Sequence, residues 1–156
     1  DNAVSVTSEE QTTLSPTQVE SIEAIGEWEF LAISNEELVD TVRRGFFGDD
    51  QLVRIYYGTL RLGINMKDVK EGWIPPSYPL LDNNFIDEAR TRSFFEEGKW
   101  TGADRQALYD RAYAQMKKRC LTPANIRIAQ RNARQQFRDM FKAMGFPNAR
   151  VEFEEN

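Results

Sequence analysis

Five cations in the last third of the chain have the spacing best suited to chemistry. Arg127, Arg131, Arg134, Arg138 and Lys142 recur at intervals of three and four, which on a helix lines them along one face. Such a row suits phosphate, sulfate or the headgroups of anionic lipids, because guanidinium groups donate in pairs to oxyanions. The aromatic interleaving that stacks bases is missing from that face, and an isoelectric point near 4.9 argues against nucleic acid as a partner. The bland alternative is the solvated side of an amphipathic helix, paired in part with acids elsewhere in the chain. A second, weaker candidate surface is Arg54, Tyr56 and Arg61, expected on the outer side of a hairpin. An uncovered edge strand there could recruit a partner by strand addition.

Carboxylates offer another chemistry. Asp82, Asp87 and Glu88 cluster ahead of Glu96 and Glu97, and paired carboxylates can serve as general acid and base. Acids at a helix start are also favoured by the macrodipole alone. Calcium could be held by such oxygens, yet no EF-hand spacing is present. The chain has no histidine, which removes the usual general base and the usual transition-metal ligand. With one cysteine, Cys120, a Cys/His zinc site and an intrachain disulfide are both excluded. Cys120 continues the row Leu108, Ala112, Met116 and reads as a small buried hydrophobe. The glycines form neither GxGxxG nor GxxxxGK, and no serine sits in a GxSxG elbow. No catalytic residue, metal ligand or cofactor is therefore assigned.

These groups sit in 156 residues with 40% hydrophobic content, enough for one domain with its own core. Net charge is −5 but unevenly placed: residues 101–145 carry ten Lys/Arg against three Asp/Glu, and residues 1–100 nine against nineteen. A basic half on an acidic remainder suits either an anion-binding face or complementarity between two layers of one domain. No apolar run approaches the roughly 18 residues of a membrane span.

The elements that must position the cations begin with the best-punctuated helix. Thr122 stands at an N-cap, Pro123 at the first helical position, Gly145 just past the end and Pro147 beyond it. Ile126, Ala129, Ala133, Phe137, Met140 and Met144 form its core stripe, with the cations nearly opposite. A Thr101-x-x-Asp104 capping box opens another helix running to about Cys120. A short helix is expected from Pro16 to Gly26 and a further one over Asp82–Glu97, with Phe85, Ile86, Ala89 and Phe94 inward.

Glu27–Ile33 and Leu52–Ile64 read as strands of a long hairpin around the Gly48-Asp49-Asp50 turn, while 34–44 suits either helix or strand. Within the second strand Val53, Ile55 and Tyr57 alternate with Arg54 and Tyr56, and Gly58 marks a bulge where the phase changes. Residues 73–81 form a proline-stiffened connector, and Arg150–Glu154 a short strand able to return to the sheet. The polar residues 1–15 read as a flexible tether outside the fold. The class is α+β: a long antiparallel β-hairpin plus a C-terminal strand, with about three helices packed on one side, in a single domain over 16–156.

Several strings resemble the bacterial family named domain of unknown function 4230. They are YYGTLRLGINMKDV (Tyr56–Val69), LLDNNFIDEARTRSFFEEGKW (Leu80–Trp100), LTPANI (Leu121–Ile126) and AMGF (Ala143–Phe146). One departure is that a strand leading into a Leu-Pro motif, usual in that family, is here compressed into residues 72–81. The resemblance implies a strand-rich N-terminal part and a helical C-terminal part. It also implies a frequent N-terminal membrane or lipid anchor, and no established catalytic motif. The expectation is a non-catalytic binding or assembly module of the periplasm or cell envelope. Its partner would be an envelope protein or an anionic ligand, and it would meet the membrane only through a removed anchor. The alternatives are a carboxylate-dependent hydrolase and polyanion binding through the basic helix.

Overall fold

A computed structural model of the chain describes residues 3–8, 14–68 and 80–154. The elements run β1 (Ala3–Ser8), α1 (Pro16–Glu23), β2 (Glu27–Arg43), β3 (Asp50–Asn65), a 3-10 turn (Met66–Asp68), β4 (Arg92–Glu96), α2 (Gly102–Cys120), α3 (Pro123–Ala143) and β5 (Ala149–Glu154). The fold is α+β, built on a long antiparallel hairpin. One sheet has the order β2-β3-β4 and a second pairs β1 with β5. The chain divides into two compact units, 1–32 with 61–83 and 123–156, and 33–60 with 84–122.

In the first unit the core is aromatic. Trp28 and Phe30 of β2 meet Phe137 of α3 with ring centres 5.0 and 5.8 Å away, and Leu62, Ile64 and Met66 are buried around Ile22 of α1. Two polar residues of α3 satisfy groups that this packing buries. Asn132 Nδ2 donates to the Phe30 carbonyl at 2.9 Å, and Gln136 accepts from the Trp28 indole N–H. The end of α3 follows its punctuation. Gly145 takes φ +96°, its N–H donates to the Lys142 carbonyl, and that of Phe146 to the Phe141 carbonyl. Those two bonds are the pair of a Schellman stop.

β1 was expected to lie in a polar tether. It is instead a strand antiparallel to β5, with Val4 opposite Phe153 and Val6 opposite Val151. The alternation Val-Ser-Val-Thr has the period and β-branching that favour a strand. This pairing also decides the fate of β5, which joins β1 rather than the hairpin sheet.

In the second unit α2 packs on the even-numbered face of β3. Leu52, Tyr56 and Leu60 are buried with Val39 of β2 and with Leu108, Ala112, Met116 and Cys120 of α2. Tyr56 meets Tyr109 edge-on at 6.2 Å. Gly58 is needed here for close approach: a Cβ on it would lie 2.9 Å from Met116 Sδ and 2.9 Å from the Phe85 carbonyl oxygen. α2 starts with the expected capping box, Thr101 Oγ1 accepting from Asp104 N–H at 3.2 Å and Asp104 accepting from Thr101 N–H at 2.8 Å.

Two further expectations are corrected, and one open alternative is decided. Residues 34–43 extend β2, since sheet pairing outweighs the SNEE capping pattern. Asp82–Glu97 is not a helix. The Thr59 N–H donates to the Phe85 carbonyl and that of Asp87 to the Tyr57 carbonyl, so residues 85–87 lie along β3, and β4 pairs with Leu52–Ile55. Between them Asp87 turns the chain by accepting from the Ala89 N–H, the local bond that makes aspartate a turn residue. Accordingly Phe85 and Ile86 are buried, whereas Ala89 and Phe94 are exposed. The phase does not change at Gly58, since Tyr56, Gly58, Leu60 and Leu62 are all buried, and the register shift against β4 falls between Val53 and Arg54. The connector expected over 73–81 lies outside the described residues except for Leu80 and Leu81, and Leu80 bridges to Leu62.

Candidate functional site

The cation row is on α3 as expected. At 100° per residue its centre lies about 120° from that of the core stripe, so it runs along a shoulder of the helix rather than opposite the core. Ala129, Ala133, Phe137 and Phe141 are the buried positions, and Ile126, Met140 and Met144 are half-buried. Phe141 was missing from the expected stripe because it falls beside the cations. Arg127, Arg131, Arg138 and Lys142 are exposed. Arg134 is half-buried, with its guanidinium carbon 5.3 Å from the Phe153 ring centre, a cation–π contact that uses it structurally.

Complementary pairing of this row with acids does not occur among the described residues. Ion pairs there form elsewhere: Arg61 with Glu27 and Glu29, Arg43 with Asp50, Arg44 with Asp49, Arg105 with Glu96, and Arg119 with Glu37. The one acid of α3, Asp139, accepts from Gln135 at 3.0 Å. Among the described residues the row thus meets no acid at short range, a disposition that suits attraction of an anion.

The second candidate surface does not exist as expected. Tyr56 is 1% exposed and faces α2, and Arg54 is half-buried beside it. Arg61 belongs to the other unit, where its guanidinium is held by Glu29 at 2.7 Å and Glu27 at 3.1 Å.

What Arg54 and Tyr56 do share is a cleft of about 260 Å³ in the second unit, bordered by Glu88, Arg105, Tyr109 and the first residue of α2, Gly102. Burial raises the Tyr56 hydroxyl above its ordinary pKa, opposed by the charge of Arg54, by the approach of its guanidinium N–H to the phenol oxygen, and by the charge of Arg105. Tyr109 is raised too, by burial and then by the negative charge of Glu88. Both phenols stay neutral at neutral pH and keep their protons for donation. Arg105 is committed, giving one N–H to the Trp100 carbonyl and another to Glu96 at 2.6 Å.

Sequence reasoning missed this cleft because it put Arg54 and Tyr56 on the solvent face. The available signal was phase: Leu52, Leu60, Leu62 and Ile64 are all even-numbered, so a strand without a bulge at Gly58 places a lone arginine on the helix-covered side.

The carboxylates proposed for acid–base work are dispersed in role. Glu96 is bound to Arg105, Asp87 is spent on its turn, and Glu88 alone of the five borders the cleft. Among the described residues no group of three or more acids and cysteines could hold a metal ion, and no helix is long and apolar enough to cross a membrane.

No curated protein and no solved structure matches the chain. The match that exists is to a family model, and it runs from within α1, through both units, to the middle of β5, the span that held the YYGTLRLGINMKDV and LTPANI strings. On that match, over residues 20–151, the chain belongs to the family described as Protein of unknown function (DUF4230).

Proposed function

We propose that this domain is a non-catalytic binding module that engages an anionic partner through the shoulder of α3 formed by Arg127, Arg131, Arg138 and Lys142. The supporting observation is that none of these cations meets a carboxylate among the described residues, in a chain that is acidic overall. A row of exposed cations attracts polyanions at a range set by the salt concentration. A carboxylate hydrolase has less support, since the acids invoked for it are engaged separately.

Retention on immobilised heparin tests the reading. The protein should be retained at low salt and released as salt rises, and Arg131→Glu/Arg138→Glu should abolish retention without loss of folding. Both positions are exposed, unlike Arg134, whose replacement would also remove the Phe153 contact. Flow-through of the unaltered protein, or equal retention of the variant, would overturn it. The setting we propose is the cell envelope or periplasm, supported by the anchored arrangement that the family resemblance implies. Recovery of the native protein with cytosolic markers on fractionation would refute that setting.

A further inference from the structure

The cleft of the second unit holds two buried polar atoms without hydrogen-bond partners among the described residues, and both can donate. The Tyr56 hydroxyl lies near the Arg54 guanidinium but outside hydrogen-bond geometry with it, although the residue is 1% exposed, and the Arg54 Nε is unmatched too. Native proteins rarely leave such atoms unpaired, and those that do usually reserve them for a water, an ion or a ligand. Arg54 is also without an ion pair among the described residues. Its hydrogen bond to Ser93 Oγ is a long one, 3.4 Å, and its guanidinium carbon stands 5.8 Å from the Tyr56 ring centre.

The third contributor is the start of α2. Gly102, which borders the cleft, is the first residue of a 19-residue helix. Its N–H has no intrahelical partner and carries the positive end of the dipole. Guanidinium, phenol and helix N-terminus thus offer donors to one space, and what the space lacks is an acceptor with negative charge. Glu88 limits how much. It repels a second negative charge while accepting a hydrogen bond from a hydroxyl or an ammonium group. The volume, about 260 Å³, lies under the range typical of drug-sized pockets.

We propose that this cleft binds a small organic acid carrying one carboxylate and a neighbouring hydroxyl or amine, with Arg54 and Tyr56 holding the carboxylate and Glu88 the donor group. The site is independent of the α3 shoulder.

The test is an amide and arginine side-chain NMR titration with L-lactate and L-alanine as probes, and acetate and inorganic phosphate as comparisons. Either probe should give saturable shifts at the Gly102 amide and the Arg54 Nε–H, and should bind more tightly than acetate or phosphate. Arg54→Gln should remove the response. Tyr56→Phe keeps the ring and should weaken binding at least about tenfold, the size of a lost hydrogen bond to a charged group. The same variant should match or exceed the parent in urea resistance, since it deletes an unpaired hydroxyl. A purely structural tyrosine would do the reverse, losing stability and leaving the titration unchanged.

Absence of saturable shifts with both probes overturns the proposal, as does binding that survives Tyr56→Phe. Tighter binding of phosphate overturns the ligand class. Should Arg54→Gln not fold, the tyrosine variant decides alone. Arg131→Glu/Arg138→Glu should leave the titration intact, so failure here and failure of the α3 reading are distinguishable.

Discussion

A buried carboxylate is the residue with most at stake in the second unit. Glu37 is 3% exposed, and it accepts from Arg119 Nε at 2.9 Å and from Asn35 Nδ2 at 3.0 Å. A charge so placed is tolerated only while its partners hold it. Arg119 comes from the last turn of α2 and is itself 68% exposed, so water screens the pair and can partly replace the lost donor. The cost of breaking it falls between those of a surface and a buried pair. We expect Arg119→Ala to lower stability by about 1–2 kcal/mol, read as a shift in urea midpoint at constant slope. Arg111→Ala removes a bond to a backbone carbonyl, that of Asp40, which water can satisfy in full. It should cost less, and an equal or greater loss would mean that Glu37 does not depend on its cation.

At the scale of elements, β3 carries the lesson. Its even residues from Leu52 to Ile64 face the interior, and Gly58 sits among them where the strand passes closest to α2. Gly58→Ala should cost about 1–3 kcal/mol, since the Phe85 carbonyl cannot retreat as a flexible side chain could. Thermal unfolding measures it, and an unchanged midpoint would show that the strand–helix gap is soft. This position was legible as special but was misread as a bulge, because Val53, Ile55 and Tyr57 compete with the even set for the core face. Elements with local punctuation were read correctly: α2 by its capping box, and α3 by Pro123 and Gly145. Elements decided by distant pairing were not. Residues 85–96 carry a helical-looking Phe85, Ile86, Ala89, Phe94 spacing, yet 85–87 lie along Tyr57–Thr59 and β4 pairs with Leu52–Ile55, some forty residues earlier. Likewise β1 is a strand only because β5 lies beside it. The α3 cations were visible from spacing alone, whereas the cleft required knowing which face of β3 was covered.

For the whole molecule the absence of histidine has a consequence that the individual sites do not show. No side chain of ordinary pKa changes charge between about pH 6 and 8 in such a chain. The shifts present widen that window. Asp104 is held below its ordinary 3.8, first by the Thr101 N–H and then by the Thr101 hydroxyl. Its stabilising contribution is complete above that value and lost only as pH falls through the lowered one. Cys120 is raised above 9.0 by burial and then by Glu37, and Tyr56 above 10.0 by burial. Their buried neutral forms contribute below those ordinary values, and the contribution disappears as pH rises through the raised ones. Stability should therefore be level from pH 5 to 8, falling in acid below about 4 and in alkali above about 9. Heparin retention should be as level from pH 6 to 8 while remaining steep in salt, because the α3 cations and the acidic remainder keep their charges throughout. Measuring elution salt at pH 6, 7 and 8 separates this from titration-controlled binding. A fall in elution salt across that range would require a group that titrates near neutrality, which this composition does not supply among its side chains, and would move the binding surface away from α3.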